Sequence, residues 1–161
     1  MKRLAIAAVT VLAIGAAGCG SKSTTTPSTD LVVFTSQLSA LNEVPPVTNA
    51  EATARGTAVI TINKVTNTID FNVSLRDFPA GSSVNVAHIH PGAAGTNGPV
   101  LVNTGLTPGN VVLTSGAGTF SFQQLTTTAA NITAILAAPQ NFYFNVHTTL
   151  NGGGAVRGQL Q

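Results

Sequence analysis

Two stretches of this chain set an apolar residue at every second position. In Thr57-Ala58-Val59-Ile60-Thr61-Ile62-Asn63, the residues Ala58, Ile60 and Ile62 share one parity. In the second stretch, Ile69, Phe71, Val73 and Leu75 alternate with Asp70, Asn72, Ser74 and Arg76. A period of two sends one set of side chains into a core and the other into water, which is the pattern of a half-buried antiparallel strand. Lys64-Val65-Thr66-Asn67 between them is a loop of hairpin size. The same alternation recurs where Phe142, Phe144 and Val146 interleave with Tyr143, Asn145 and His147, and where Phe120 and Phe122 interleave with Thr119, Ser121 and Gln123. Val156, Gly158 and Leu160 end the chain on another strand, and Leu31 to Leu41 is a further candidate.

One segment departs from that period. Thr127 to Ala138 is rich in alanine and Pro139 follows it. It predicts a short helix with a threonine near Thr126–Thr128 as its N-cap. About eight strands at intervals of roughly 8–15 residues predict an all-β fold, a Greek-key β-sandwich or barrel with one short helix.

Charge is scarce: 7 basic and 5 acidic residues make up 7% of the 161-residue chain, against roughly 25% in an average soluble domain. Coiled coils and charged helical bundles are excluded, because both need Glu/Lys-rich faces. The basic excess comes from Lys2 and Arg3 alone; without them five residues of each sign remain. A neutral domain offers phosphate no electrostatic footprint, so nucleic acid is excluded as a partner.

The N-terminus reads as an address. Met1-Lys2-Arg3 precedes an apolar run from Leu4 to Ala17 that is broken only by Thr10. The run is shorter than the ~20 residues of a membrane span and fits the apolar region of an export signal. It ends Ala16-Ala17-Gly18-Cys19, which resembles the bacterial lipobox, with Ala16 where leucine is more usual. The resemblance implies a lipoprotein signal peptide over residues 1–18 and lipidation of Cys19, the chain's only cysteine. Gly20 follows it, where aspartate would signal retention in the inner membrane, so the resemblance leans toward the outer membrane. Residues 19–30 then read as the lipidated cysteine and a solvated linker; Gly20 to Asp30 has no apolar side chain to bury. Two acyl chains on one cysteine suffice for stable anchoring. The expectation is an exported protein of the bacterial cell envelope, held to a membrane by lipid, with a β domain over residues 31–161.

All three histidines fall in the most distinctive segments: His88 and His90 in Ala87-His88-Ile89-His90-Pro91-Gly92, and His147 in Asn145-Val146-His147-Thr148. Residues i and i+2 of a strand point to one side, about 6.5–7 Å apart. Two imidazoles so placed can converge on one ion, and a third from another strand would complete a three-nitrogen face. Such a face suits copper or zinc rather than magnesium or calcium, which take oxygen. The alternative is structural: imidazoles that hydrogen-bond within the fold, with Asn145 and Tyr143 as candidate partners. His88 shares parity with Val84 and Val86, which puts it on the inward face. Glu43 and Arg157 either pair near the histidines or are ordinary rim charges. The glycine-rich loop Gly92–Pro99 lacks a Gly-Lys-Ser/Thr sequence and no helix follows it, so it shapes turns over the histidine region rather than cradling phosphate. There is no Gly-x-Ser-x-Gly elbow and no cysteine in the domain, and acidic residues are too sparse for a carboxylate dyad.

In combination, Leu41-Asn42-Glu43-Val44-Pro45-Pro46-Val47, the segment 87–100 around His-Ile-His-Pro-Gly, and the segment 141–160 with Asn-Val-His-Thr and Arg-Gly-Gln resemble the chordin-type CHRD domain over almost all of 38–160. The resemblance implies a secreted β-sandwich or barrel-like module and supplies no settled activity. A weaker likeness is to the copper/zinc superoxide dismutases, whose His-x-His strand, later His and near-terminal Arg are similar in order to His88, His90, His147 and Arg157. Those enzymes need further histidines and an aspartate for their second metal, and this chain lacks them. The leading expectation is a non-enzymatic binding module for a protein or small ligand. The alternative is a copper- or zinc-binding protein that uses His88, His90 and His147, with Glu43, Asn145 and Arg157 in support. Dismutase-like redox activity is the least expected.

Overall fold

The computed structural model describes residues 30–161. The expected signal peptide, Cys19 and the segment up to residue 29 lie outside the described residues. Nine strands form one antiparallel sheet: β1 (Leu31–Ser39), β2 (Arg55–Asn63), β3 (Thr68–Arg76), β4 (Ser82–Pro91), β5 (Val102–Asn103), β6 (Val111–Leu113), β7 (Gly118–Thr126), β8 (Phe142–Thr148) and β9 (Val156–Gln159). Their order is β5-β4-β8-β9-β1-β2-β3-β7, with β6 also on β4. The fold is all-β and sandwich- or barrel-like, as expected. The two shortest strands, β5 and β6, are the ones that alternation in the sequence does not announce.

The hairpin of β2 and β3 forms where the loop was expected, with Asn63 opposite Thr68. Asn63 Oδ1 accepts from the backbone N–H of Val65 and of Thr66, which closes the turn. The helix α1 runs Ala129–Ala137, and Thr128 is its N-cap: its hydroxyl accepts from the Asn131 N–H at 3.1 Å. Pro139 cannot continue the helix and opens a 3-10 turn, Pro139–Asn141.

The sheet curls because one face must close on itself. Ile60, Ile62, Ile69, Phe71 and Leu75 from β2 and β3 are buried together with Val84, Ile89, Phe144 and Val146 from β4 and β8. Phe71 and Phe144 stand four strands apart in the sheet order, yet their rings stack at 5.5 Å. A curl of this kind needs close backbone approach where β9 meets β1. At Gly158 a Cβ would lie 2.1 Å from the Gln37 carbonyl oxygen, so only glycine fits.

The inward placement expected of His88 is corrected. Val84 pairs with Thr148 and Val86 with His147, so β4 advances two residues while β8 advances one. This β-bulge flips the parity of everything after it. Val84, Ala87 and Ile89 face the core, while His88 and His90 stand on the other face. They are buried there by loops rather than by the sheet interior.

Candidate metal centre

Register brings the polar side chains of three strands onto one surface. On β4 and β8, His88 lies opposite Asn145 and His90 opposite Tyr143. On β8 and β9, Asn145 lies opposite Arg157 and Tyr143 opposite Gln159. Strand alternation adds His147 beside Asn145 on the same face. The structure thus brings together five of the six site residues expected within the domain, and Glu43 joins them from the segment after the 3-10 turn Ala40–Asn42. Cys19 lies outside the described residues.

The three imidazoles are 8%, 7% and 9% exposed in the order His88, His90, His147. One nitrogen from each ring lies within 4.8 Å of the other two. His88 Nδ1 and His147 Nε2 are 3.2 Å apart. Backbone carbonyls set the tautomers of two rings. His90 Nδ1 is 3.0 Å from the Gly98 oxygen, and His147 Nδ1 is 2.9 Å from the Gly152 oxygen. A carbonyl only accepts, so each Nδ1 carries the hydrogen and each Nε2 keeps a lone pair. Metal-ligating histidines are ordinarily oriented in this way, through a second hydrogen bond on the far nitrogen. His90 Nε2 is buried and has no hydrogen-bond partner.

Burial holds all three rings neutral. His88 is pushed down to about 4, first by loss of water and then by the neighbouring His147 and His90. His90 is lowered by burial, against the opposing bonds to Gly98 and Pro99. His147 is lowered by burial, against its bond to Gly152. Neutral imidazole is the form that ligates, so these shifts leave the donors ready at neutral pH.

Around the rings stands a bracket of polar contacts. Tyr143 stacks on His90 with centroids 4.9 Å apart, and the Arg157 guanidinium lies 4.6 Å from the Tyr143 centroid. Arg157 donates from Nε to the Asn42 oxygen at 2.6 Å and from Nη1 to Asn97 Oδ1 at 2.8 Å. It therefore ties the Glu43 segment and the glycine-rich loop to β9. Asn97 in turn donates to the Val44 oxygen at 2.9 Å and joins the two loops directly. Glu43 accepts from Asn145 Nδ2 at 2.7 Å and sits 3.8 Å from Arg157 Nε. Burial raises its carboxyl to about 7, against the lowering effects of Arg157 and Asn145. Glu43 and Arg157 are thus a buried pair, 6% and 3% exposed. Gly154 makes room for it: at φ +139 a Cβ would come within 2.6 Å of Glu43 Oε2 and Asn145 Nδ2.

Sequence reasoning missed the carbonyls of Gly98 and Gly152, because backbone acceptors have no residue signature.

The model of the CHRD domain matches residues 34–160. No curated protein and no solved structure matches the chain. The match takes in every described strand from β2 onward, most of β1, and the whole histidine surface, and on that extent the chain belongs to the CHRD domain family.

Proposed function

We propose that this CHRD domain is a non-enzymatic metal-binding module of the bacterial cell envelope, exported and tethered through lipid on Cys19, that holds copper or zinc with His88, His90 and His147. The observation that carries the reading is the buried Nε2 of His90, a lone pair with no donor to meet it. A buried polar atom without a partner is costly, and a cation shared with the His88–His147 contact would satisfy it. Three neutral nitrogens and no carboxylate oxygen suit borderline ions such as Cu(II) and Zn(II) and disfavour calcium and magnesium. With bonds near 2.0–2.1 Å, ligand nitrogens stand about 3.3 Å apart. The His88–His147 separation of 3.2 Å meets that, and a nitrogen of His90 lies within 4.8 Å of both. The ion supplies a positive charge and open coordination; the protein supplies orientation, desolvation and fixed tautomers. Two-metal redox chemistry is not part of the proposal, because the whole chain has three histidines and all are used here.

The test is titration of the purified full-length protein with Cu(II) and with Zn(II) by isothermal calorimetry. Submicromolar 1:1 binding that disappears in His90→Ala and His147→Ala is the expected result. Unaltered heats in both variants, or none with wild type, would refute the metal reading. Mass spectrometry of the N-terminal peptide tests the tether: an unmodified Cys19 in membrane-derived protein would refute that part alone.

A further inference from the structure

A second carboxylate lies buried beside the site and nothing above uses it. Glu51, on the segment between β1 and β2, is 1% exposed. Among the described residues it makes no ion pair. Its Oε2 instead accepts from Thr148 Oγ1 at 2.6 Å and from Asn151 Nδ2 at 2.6 Å. The same turn is tied twice more. Asn49 and Asn151 exchange amide hydrogen bonds at 2.8 and 3.2 Å, and Thr148 Oγ1 accepts from the Asn151 N–H at 3.0 Å. Burying a carboxylate without a cation beside it is expensive. What Glu51 holds in return is the turn after β8, residues 149–154, which carries the Gly152 oxygen that accepts from His147 Nδ1.

We propose that Glu51 is a positioning residue of the histidine site. Its carboxylate clamps the 149–154 turn, the turn presents the Gly152 carbonyl, and the carbonyl fixes His147 with Nε2 bare toward His88. Glu51 touches none of the imidazoles; it acts through the turn. The inference rests on the metal reading for its purpose, and on geometry alone for its structural part.

The experiment uses the full-length chain with Glu51→Ala and Glu51→Gln, each read in two ways. The first reading is the tautomer of His147 in metal-free protein, from two-bond proton–nitrogen NMR correlations. The second is Zn(II) affinity by calorimetry. Glu51→Ala should mix the His147 tautomers and weaken zinc about 10–100-fold, the range seen when partners of ligating residues are removed. Glu51→Gln keeps an acceptor for Thr148 and Asn151, so it should hold the single Nδ1–H tautomer and nearly the wild-type affinity. A His147 ring that stays fully Nδ1-protonated in Glu51→Ala overturns the proposal. If wild type binds no zinc, the metal reading fails while the tautomer measurement still decides the role of Glu51. If Glu51→Ala does not fold, Asn151→Ala cuts the same clamp from the side of the turn and is read identically.

Discussion

His88 Nδ1 and His147 Nε2 meet at 3.2 Å although 59 positions separate them in the chain. Two devices bring them there. The bulge in β4 turns His88 off the core, and the antiparallel register of β4 on β8 lays it diagonally across from His147. Remove the bulge and the His-x-His pair would point into the apolar interior, where Ile89 and Phe144 now pack.

Acid should weaken the metal-free fold through these rings. His88 falls from 6.5 in the unfolded chain to about 4 in the folded one, so between those values the unfolded state binds the extra proton. The contribution of His88 is fully present above about pH 6.5 and is lost as pH falls toward 4. Glu43 works in the opposite direction: raised from 4.5 to about 7, it favours the fold below 4.5 and loses that advantage as pH rises through 7. Thermal melts between pH 4.5 and 7 should therefore rise more steeply with pH in Glu43→Gln than in wild type. Equal slopes would mean that Glu43 does not titrate in this window.

Metal loading should expel protons without deprotonating any ligand. The imidazoles are already neutral at pH 7, so protons released on loading must come from elsewhere. A cation near Asn145 favours the ionised form of Glu43. Calorimetry in buffers of different ionisation enthalpy should show a fraction of a proton released per ion at pH 7, and none in Glu43→Gln. Full release in the variant would place the source on another group.

Arg157→Ala should cost about 3–5 kcal/mol in urea unfolding, the scale for stripping one partner from a buried charge pair. The loss has two parts. Glu43 is left buried without its cation, and the bonds to Asn42, Thr96 and Asn97 go with it. Adding Glu43→Gln should recover the first part and leave the second. A double variant no more stable than Arg157→Ala would show that the loop bonds account for the whole cost.

Gly158→Ala should destabilise by at least the ~1–3 kcal/mol typical of overpacking. Its Cβ would meet the Gln37 carbonyl at 2.1 Å and the Ser36 hydroxyl at 2.7 Å, and backbone cannot swing aside as a side chain can. The same hydroxyl donates to the Gly158 oxygen at 2.7 Å, so the seam between β1 and β9 would open where it is bonded. A melting temperature within a degree of wild type would contradict this close approach.

How much of this was legible in the sequence depended on whether the information is local. Parity in Thr57–Asn63 and Ile69–Leu75 gave the right inward sets, because each strand is uniform and one face is dry. Thr128 and Pro139 bounded the helix for reasons internal to a few residues. The parity of His88 misled, because a bulge is a property of two paired strands and leaves no mark in Ser82–Pro91 alone. The convergence of the histidines could be guessed from their scarcity. The proposed clamp by Glu51 could not, since it depends on segments about a hundred residues apart meeting in space. The Gly98 and Gly152 acceptors could not because, though only 8 and 5 residues from their histidines, backbone oxygens carry no residue signature.

β1 also sets a distance. Leu31 opens the strand and Ser39 closes it opposite Arg157. Eight steps at ~3.4 Å separate those residues by about 27 Å. The face that carries Arg157 and Asn145 therefore lies toward the far end of β1 from Leu31. On the proposed reading of a lipid on Cys19 and an ion on the three imidazoles, the ion would be reached from the side away from the anchor.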